Sequence, residues 1–259
     1  MPSEFTSWWD FHNFAHAVRH SARFIHGPQV SDFLDTLQQT SSQRRRSLSK
    51  GTFLWRAQFG SATKECEQDD VVWDEAVPYS SARMKPLPHS AQEGRVNPKG
   101  IPCLYLATDK ETAMAESRPW IGCTISAGQF RIARDLTLID FSVGHESKFE
   151  VYFDEPSTAE REKSVWAHVD RAFSEPVVAN PETADYVPTQ VISEFLRKQG
   201  FDGVAYKSRL GKGFNIALFD LNAAVLVNCA LFSVKSLSFV FGDPTNAYHV
   251  RNSEGEGEA

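Results

Sequence analysis

Five polar side chains each sit beside a short apolar run: Arg56 closing "FLWR", Arg95 in "GRVNP", Tyr105 in "LYLA", Glu116 in "AMAESRPW" and Ser208 after "VAYK". Brought together, they supply two guanidiniums, an aromatic face, one carboxylate and one hydroxyl. Arginine forks match diphosphate oxygens in a bidentate way, and an aromatic face matches a flat heterocycle. One carboxylate with no partner acid suits stabilisation of a cationic transition state better than paired acid–base hydrolysis. Glycosidic cleavage through an oxocarbenium ion is chemistry of that kind. Each residue also has an ordinary role open to it. Arg56 can pair with an acid of the next loop, Tyr105 can be a half-buried strand tyrosine, Glu116 can bond Arg118, and Ser208 can be a turn hydroxyl. Composition and spacing leave the function undecided between these.

The setting of the carboxylate is the most specific local pattern. In "LYLATDKETAMAESRPW" an apolar strand runs into Thr108 and Glu111, the S/T-x-x-E spacing of a capping box. The helix that follows carries Ala113 and Ala115, so it is slim, and Glu116 falls in its last turn. "GTFLWRAQF" predicts a strand followed by an acidic loop, and the Pro- and Gly-rich stretch from Ala82 to Pro102 predicts irregular chain of the sort that lines sites. "TISAGQFRIARDLTLIDF" reads as two strands with a turn near Arg134 and Asp135. Residues 142 to about 184 read as an insertion with a helix at "TAEREKSVWAHVDRAF". "PTQVISEFLRKQG" predicts an amphipathic helix stopped by Gly200, and "FDGVAYKS" and "FNIALFD" predict neighbouring strands joined by "RLGKG". Helices and strands do not alternate as βαβ units, so the class expected is α+β.

The first 45 residues read differently. Trp8, Phe11, Ala15, Val18, Ala22 and Ile25 recur at steps of three and four, a single helical stripe. "HGPQ" breaks it, and a second helix starts with Ser31 as the expected N-cap. "TSSQRRRSLSKG" reads as a polar linker, which puts a boundary between a helical segment over 1–45 and a domain over 51–240, with a disordered tail over 241–259. His12, His16 and His20 repeat every four residues, a spacing that can align imidazoles for a metal. They fall with Arg19 and Arg23, away from the apolar stripe, so a solvated polar face is the expectation and no metal is assigned.

The whole chain has 259 residues, 41% hydrophobic and 23% charged, which suffices for one good core. A net charge of -6 argues against a protein that coats nucleic acid. Four cysteines without CxxC spacing are expected to be reduced thiols of a cytoplasmic protein. The first ten residues, "MPSEFTSWWD", lack a signal-peptide pattern, and no apolar run reaches membrane-spanning length.

Taken together, "LWRA", "GRVNPKGIPCLYLATDKETAMAESRPW" and "FDGVAYKSRLGKGFNIALFD" resemble the RES domain family, named for its Arg, Glu and Ser. The resemblance runs from about Gly51 to about Asp220. It implies a mixed sheet with flanking helices, similar to ADP-ribosyltransferase toxins. It also implies a bacterial toxin that consumes NAD by hydrolysis, phosphorolysis or transfer of ADP-ribose. By motif, the family's site residues fall on Arg56, Arg95, Tyr105, Glu116 and Ser208. Under this resemblance Glu116 faces the ribose, Arg56 and Arg95 hold the diphosphate, and Tyr105 grips the nicotinamide end. Ser208 orients the ribose or the amide, and Asn215 and the "GKG" loop contact the same ligand. The implied partners are NAD and a cognate antitoxin protein, and a homo-oligomer is compatible with it. "SWWDFHNFAHAVRHSARFI" is similar to the HEPN-related helical region ahead of some RES domains, where Arg19 and His26 fit a ribonuclease spacing. The segment is short for a complete bundle, so docking or regulation is its expected role. Two other functions stay open: an ADP-ribosyltransferase with a macromolecular acceptor, and an inactive module that binds RNA or a partner protein.

Overall fold

The computed structural model describes residues 4–145, 152, 154, 156–175, 185–243 and 245. Its centre is an eight-stranded mixed sheet with four long helices on one face and the short α3 (Ser81–Met84) on the other, so the α+β class holds. The strands are β1 (Arg45–Leu48), β2 (Phe53–Phe59), β5 (Leu104–Ala107), β6 (Thr124–Ile132), β7 (Leu136–Asp140), β8 (Gly203–Lys207), β9 (Phe214–Leu218) and β10 (Ala224–Ser233). Their order is β1-β7-β8-β9-β5-β2-β6-β10. A separate hairpin of β3 (Ala62–Gln68) and β4 (Val71–Val77) stands off the sheet. Only β7 and β8 pair in parallel among the described strands. Between them the chain passes through α5 (Thr158–Ser174) and α6 (Val187–Lys198).

Period-two alternation distributes the core over both faces of the sheet. Ile139, Val204, Tyr206 and Ala217 meet the helices, while Leu138, Ala205, Ile216 and Leu218 enter a second cluster with Leu54, Met84 and Phe130. Strands buried on both faces read as nearly continuous apolar runs, which is how "VAY" and "NIALF" look in the sequence.

Several local expectations need correction. Helix α1 (Asp10–His20) stops before Ala22, and Ile25 is exposed, because Ser21 takes the cap position. Helix α2 (Pro28–Thr40) starts from Gly27 with Pro28 in the first turn. Ser31 lies inside that turn and donates to the Gly27 carbonyl. The acidic "loop" after β2 is the β3–β4 hairpin, whose two turn residues Asp69 and Asp70 both take positive φ, as a tight hairpin turn requires. The capping box lies at Ser157 and Glu160 on α5, not at Thr108 and Glu111.

The expected linker is not one. Residues 41–44 form a 3-10 turn, and "RRSL" is β1, an edge strand paired with β7. Phe11, Phe14, Val18, Phe33, Leu34 and Leu37 share one core with Phe141, Trp166, Val169 and Ile192. Each such side chain contributes about 1.5–3 kcal/mol when buried. The apolar stripe of α1 is therefore covered by its own domain, and the boundary at residue 45 does not separate two cores. The expected tail lies almost wholly outside the described residues. No helix among the described residues is long and apolar enough to cross a membrane.

Candidate active site

The four central strands β8, β9, β5 and β2 carry the site. Tyr206 is paired with Asn215, Asn215 with Ala107, and Ala107 with Trp55, so one row crosses the sheet. Above it a cleft of about 440 Å³ is lined by Arg56, Arg95, Tyr105, Glu116, Tyr206 and Asn215, among others. Ser208 lies just behind it.

Glu116 ends the short helix α4 (Lys110–Glu116). Asp109 is the N-cap of α4 and accepts from the Thr112 amide at 2.8 Å. Thr108, expected in that role, instead accepts from the Phe214 amide at 3.0 Å, and Thr112 Oγ1 accepts from the Gly213 amide at 3.0 Å. The "GKG" loop thus seats the start of α4. A Cβ on Gly213 would stand 1.8 Å from Asp109 Oδ2, so any side chain there would displace the Asp109 cap. At the other end, Glu116 Oε1 accepts from Ser208 Oγ and from Asn215 Nδ2, both at 2.6 Å. Arg118 is not its partner. Among the described residues Oε2 carries no hydrogen bond, so half the carboxylate stays open to a ligand.

Ser208 is fully committed. Its hydroxyl donates to Glu116 and accepts from the amides of Leu210 and Gly211 at 3.1 and 2.9 Å, which uses its donor and both lone pairs. It is 4% exposed. Ser208 therefore positions the carboxylate and has nothing left for ribose or amide. Asn215 likewise reaches Glu116 from β9.

Arg56 Nη1 donates to the Tyr105 carbonyl at 3.0 Å, while Nε is buried without a partner among the described residues. Burial lowers its pKa to about 10, with Tyr105 opposing and Arg83 adding to the shift, so the guanidinium is still charged at neutral pH. No acid of the following segment neutralises it. Arg95 donates to the carbonyls of Ala172 and Glu175 at the end of α5, which caps that helix from the side. Tyr105 is locked: its hydroxyl donates to Asn97 Oδ1 at 2.7 Å and accepts from the Val96 amide at 2.9 Å. Burial pushes its pKa well above the ordinary tyrosine value. A ring face, not a hydroxyl, is what it offers the cleft.

Sequence reasoning missed the groups that hold the 93–97 loop. Gln190 Nε2 on α6 donates to the Gly94 and Asn97 carbonyls at 2.9 and 3.1 Å, and Thr189 Oγ1 donates to the Arg95 carbonyl at 2.7 Å. Gly94 has no room for a side chain, since a Cβ would come 2.6 Å from the Tyr105 hydroxyl. Also missed were Phe173 and Ser174 of the inserted helix, and Tyr186, which line the same cleft. Their only sequence signal was adjacency: Phe173 and Ser174 close the "VDRAFS" stretch, and Tyr186 immediately precedes "VPTQVISEF".

The histidines of α1 do something else. His12 stacks on Trp9 with centroids 3.8 Å apart and meets His168 of α5 edge-on at 4.3 Å. It faces α5, so the expected solvated face is corrected for that residue. Arg19 donates to the Asp185 carbonyl and His26 bonds the Arg23 carbonyl. Among the described residues no three ligating side chains converge.

A family model, RES domain, matches residues 71–241, more than half of the chain, and the protein is a member of the RES domain family. Arg95, Tyr105, Glu116, Ser208 and Asn215 fall within that span, and Arg56 precedes it. Among solved structures, the chain is similar to one in the crystal structure of the M. tuberculosis MbcT-MbcA toxin-antitoxin complex. Identity is 13%, covering 76% of this chain and 92% of that one, with a TM-score of 0.39. No curated protein matches.

Proposed function

We propose that the protein is a toxin enzyme that breaks the bond between nicotinamide and ribose in NAD, handing the ADP-ribosyl group to water or phosphate. The observation that carries this reading is the carboxylate of Glu116, fixed through one oxygen by Ser208 and Asn215 and open through the other. When the glycosidic bond breaks, its electron pair leaves with the pyridine nitrogen and neutralises it. Positive charge then grows on the ribose. A ribose hydroxyl donating to Glu116 Oε2 strengthens its bond as that charge forms, which is selective binding of the transition state. The carboxylate is oriented in advance, so little reorganisation is needed at that moment. The acceptor oxygen then bonds to the ribose carbon and sheds its proton.

The other groups support binding. The buried Arg56 guanidinium and the remaining N–H groups of Arg95 suit the diphosphate. The faces of Tyr105, Tyr186 and Tyr206 suit a flat ring, and the cleft volume lies in the range of small-ligand sites. A cognate antitoxin that covers the cleft, implied by the family, belongs to the same proposal, as does action on the cytoplasmic NAD pool. Full-length protein incubated with NAD is expected to release nicotinamide together with ADP-ribose or ADP-ribose phosphate, separated by chromatography. Label transferred to a macromolecule instead would move the assignment to an ADP-ribosyltransferase. Absence of nicotinamide release under every acceptor would overturn it.

A further inference from the structure

Ser174 is the last residue of α5 and lines the cleft next to Phe173. It is 6% exposed, and its hydroxyl is buried with no hydrogen-bond partner among the described residues. A serine in a helix ordinarily bonds a carbonyl one turn back or turns to solvent. A buried hydroxyl that does neither lowers stability and calls for an explanation. Arg56 Nε, in the same cleft, is the other orphan there.

The surroundings of Ser174 indicate what would satisfy it. Arg95 holds the carbonyls of Ala172 and Glu175 on either side, so the backbone at Ser174 is fixed. Phe173, Tyr186 and Tyr206 put rings into the cleft, with Phe173 and Tyr206 centroids 6.0 Å apart. Ser208 and Asn215 spend their donors on Glu116, whereas on this aromatic wall the buried Ser174 hydroxyl has its bonds unmade among the described residues. A change of χ1 rotamer would be the way to bring that hydroxyl to a ligand while the backbone stays in place. The matching ligand is a flat ring with a small substituent that both donates and accepts.

We propose that Ser174 is a specificity-determining residue that hydrogen-bonds the carboxamide of the nicotinamide ring, an assignment that rests on the NAD reading above. The test compares wild-type and Ser174→Ala full-length protein on NAD and on pyridine adenine dinucleotide, in which hydrogen replaces the carboxamide. The variant is expected to raise KM for NAD about 10-fold with kcat little changed, the signature of lost uniform binding. KM for the pyridine analogue should be the same in both proteins. The melting temperature without ligand should stay level or rise, because the orphan hydroxyl is gone. Unchanged KM for NAD, equal losses on both dinucleotides, or a lowered melting temperature that accounts for the loss would each overturn the assignment while leaving the NAD reading intact. Wild-type protein that releases neither nicotinamide from NAD nor pyridine from the analogue would overturn both.

Discussion

Helix α5 stands between two grooves that hold their polar side chains in opposite ways. On one side, Ser208 and Asn215 donate to one oxygen of Glu116 and fix its orientation. On the other, Trp9, His12 and His168 pack ring against ring in a groove with Trp8 and Arg171. Burial, followed by the neighbouring His12 and Arg171, lowers His168 to about 4, and burial followed by Arg19 lowers His12. Both imidazoles are thus neutral at neutral pH. A repeated histidine spacing and a lone glutamate look equally chemical in a sequence. The difference is that donors converge on the glutamate, while rings and apolar surface converge on the histidines.

Four outcomes would break or sharpen that contrast. The largest lies under the histidine side. Phe14 is 1% exposed and stacks on Phe33 with centroids 4.3 Å apart, so Phe14→Ala should cost about 3–5 kcal/mol in chemical denaturation. Turnover per folded molecule should hardly change. A near-neutral value would restore an N-terminal segment independent of the core. Next comes Glu116→Gln, which keeps an acceptor for Ser208 and Asn215 but removes the charge. NAD turnover should fall about 100-fold or more with the melting temperature nearly level, and wild-type turnover would remove Glu116 from the chemistry.

Ser208→Ala leaves Glu116 with one donor and strips the Leu210 and Gly211 amides of their acceptor. A roughly 10-fold loss in kcat, with KM less affected, is expected for a residue that acts through another. A KM effect alone would instead make Ser208 a ligand contact. The smallest effect concerns pH. His168 has a lower pKa folded than unfolded, so the unfolded chain binds more protons between the ordinary histidine value and about 4. Stability contributed by the neutral ring is present above pH 6.5 and is lost as pH falls through that window, by about 1–2 kcal/mol. His168→Gln should flatten this part of the stability–pH curve. An identical slope in both proteins would mean that the ring titrates normally.

Much of the site was legible because its residues lie in ordered, separate motifs. Arg56, Tyr105, Ser208 and Asn215 sit on or beside strands whose apolar runs mark them, and Glu116 ends the short helix that follows one. Their partners were less legible. Thr189 and Gln190 act on a loop more than 90 residues away, and an amide or hydroxyl gives no sign in sequence of where its bond will go. The hairpin after β2 was hidden by its acids, although Asp69 and Asp70 between alternating residues carried the turn signal. The linker reading failed at "RRRSLSK" because an edge strand needs only backbone partners, which its polar side chains do not advertise.

By itself, the sequence determined the period of each long helix and strand, the α+β class and the family, since those depend on local spacing and motif order. Only the tertiary structure decided that the first 45 residues share the main core. It alone showed that Ser208 is saturated while Ser174 is not, and that His12 meets His168. Those outcomes depend on which donors, rings and carbonyls arrive from distant segments, and packing rather than local propensity sets that geometry.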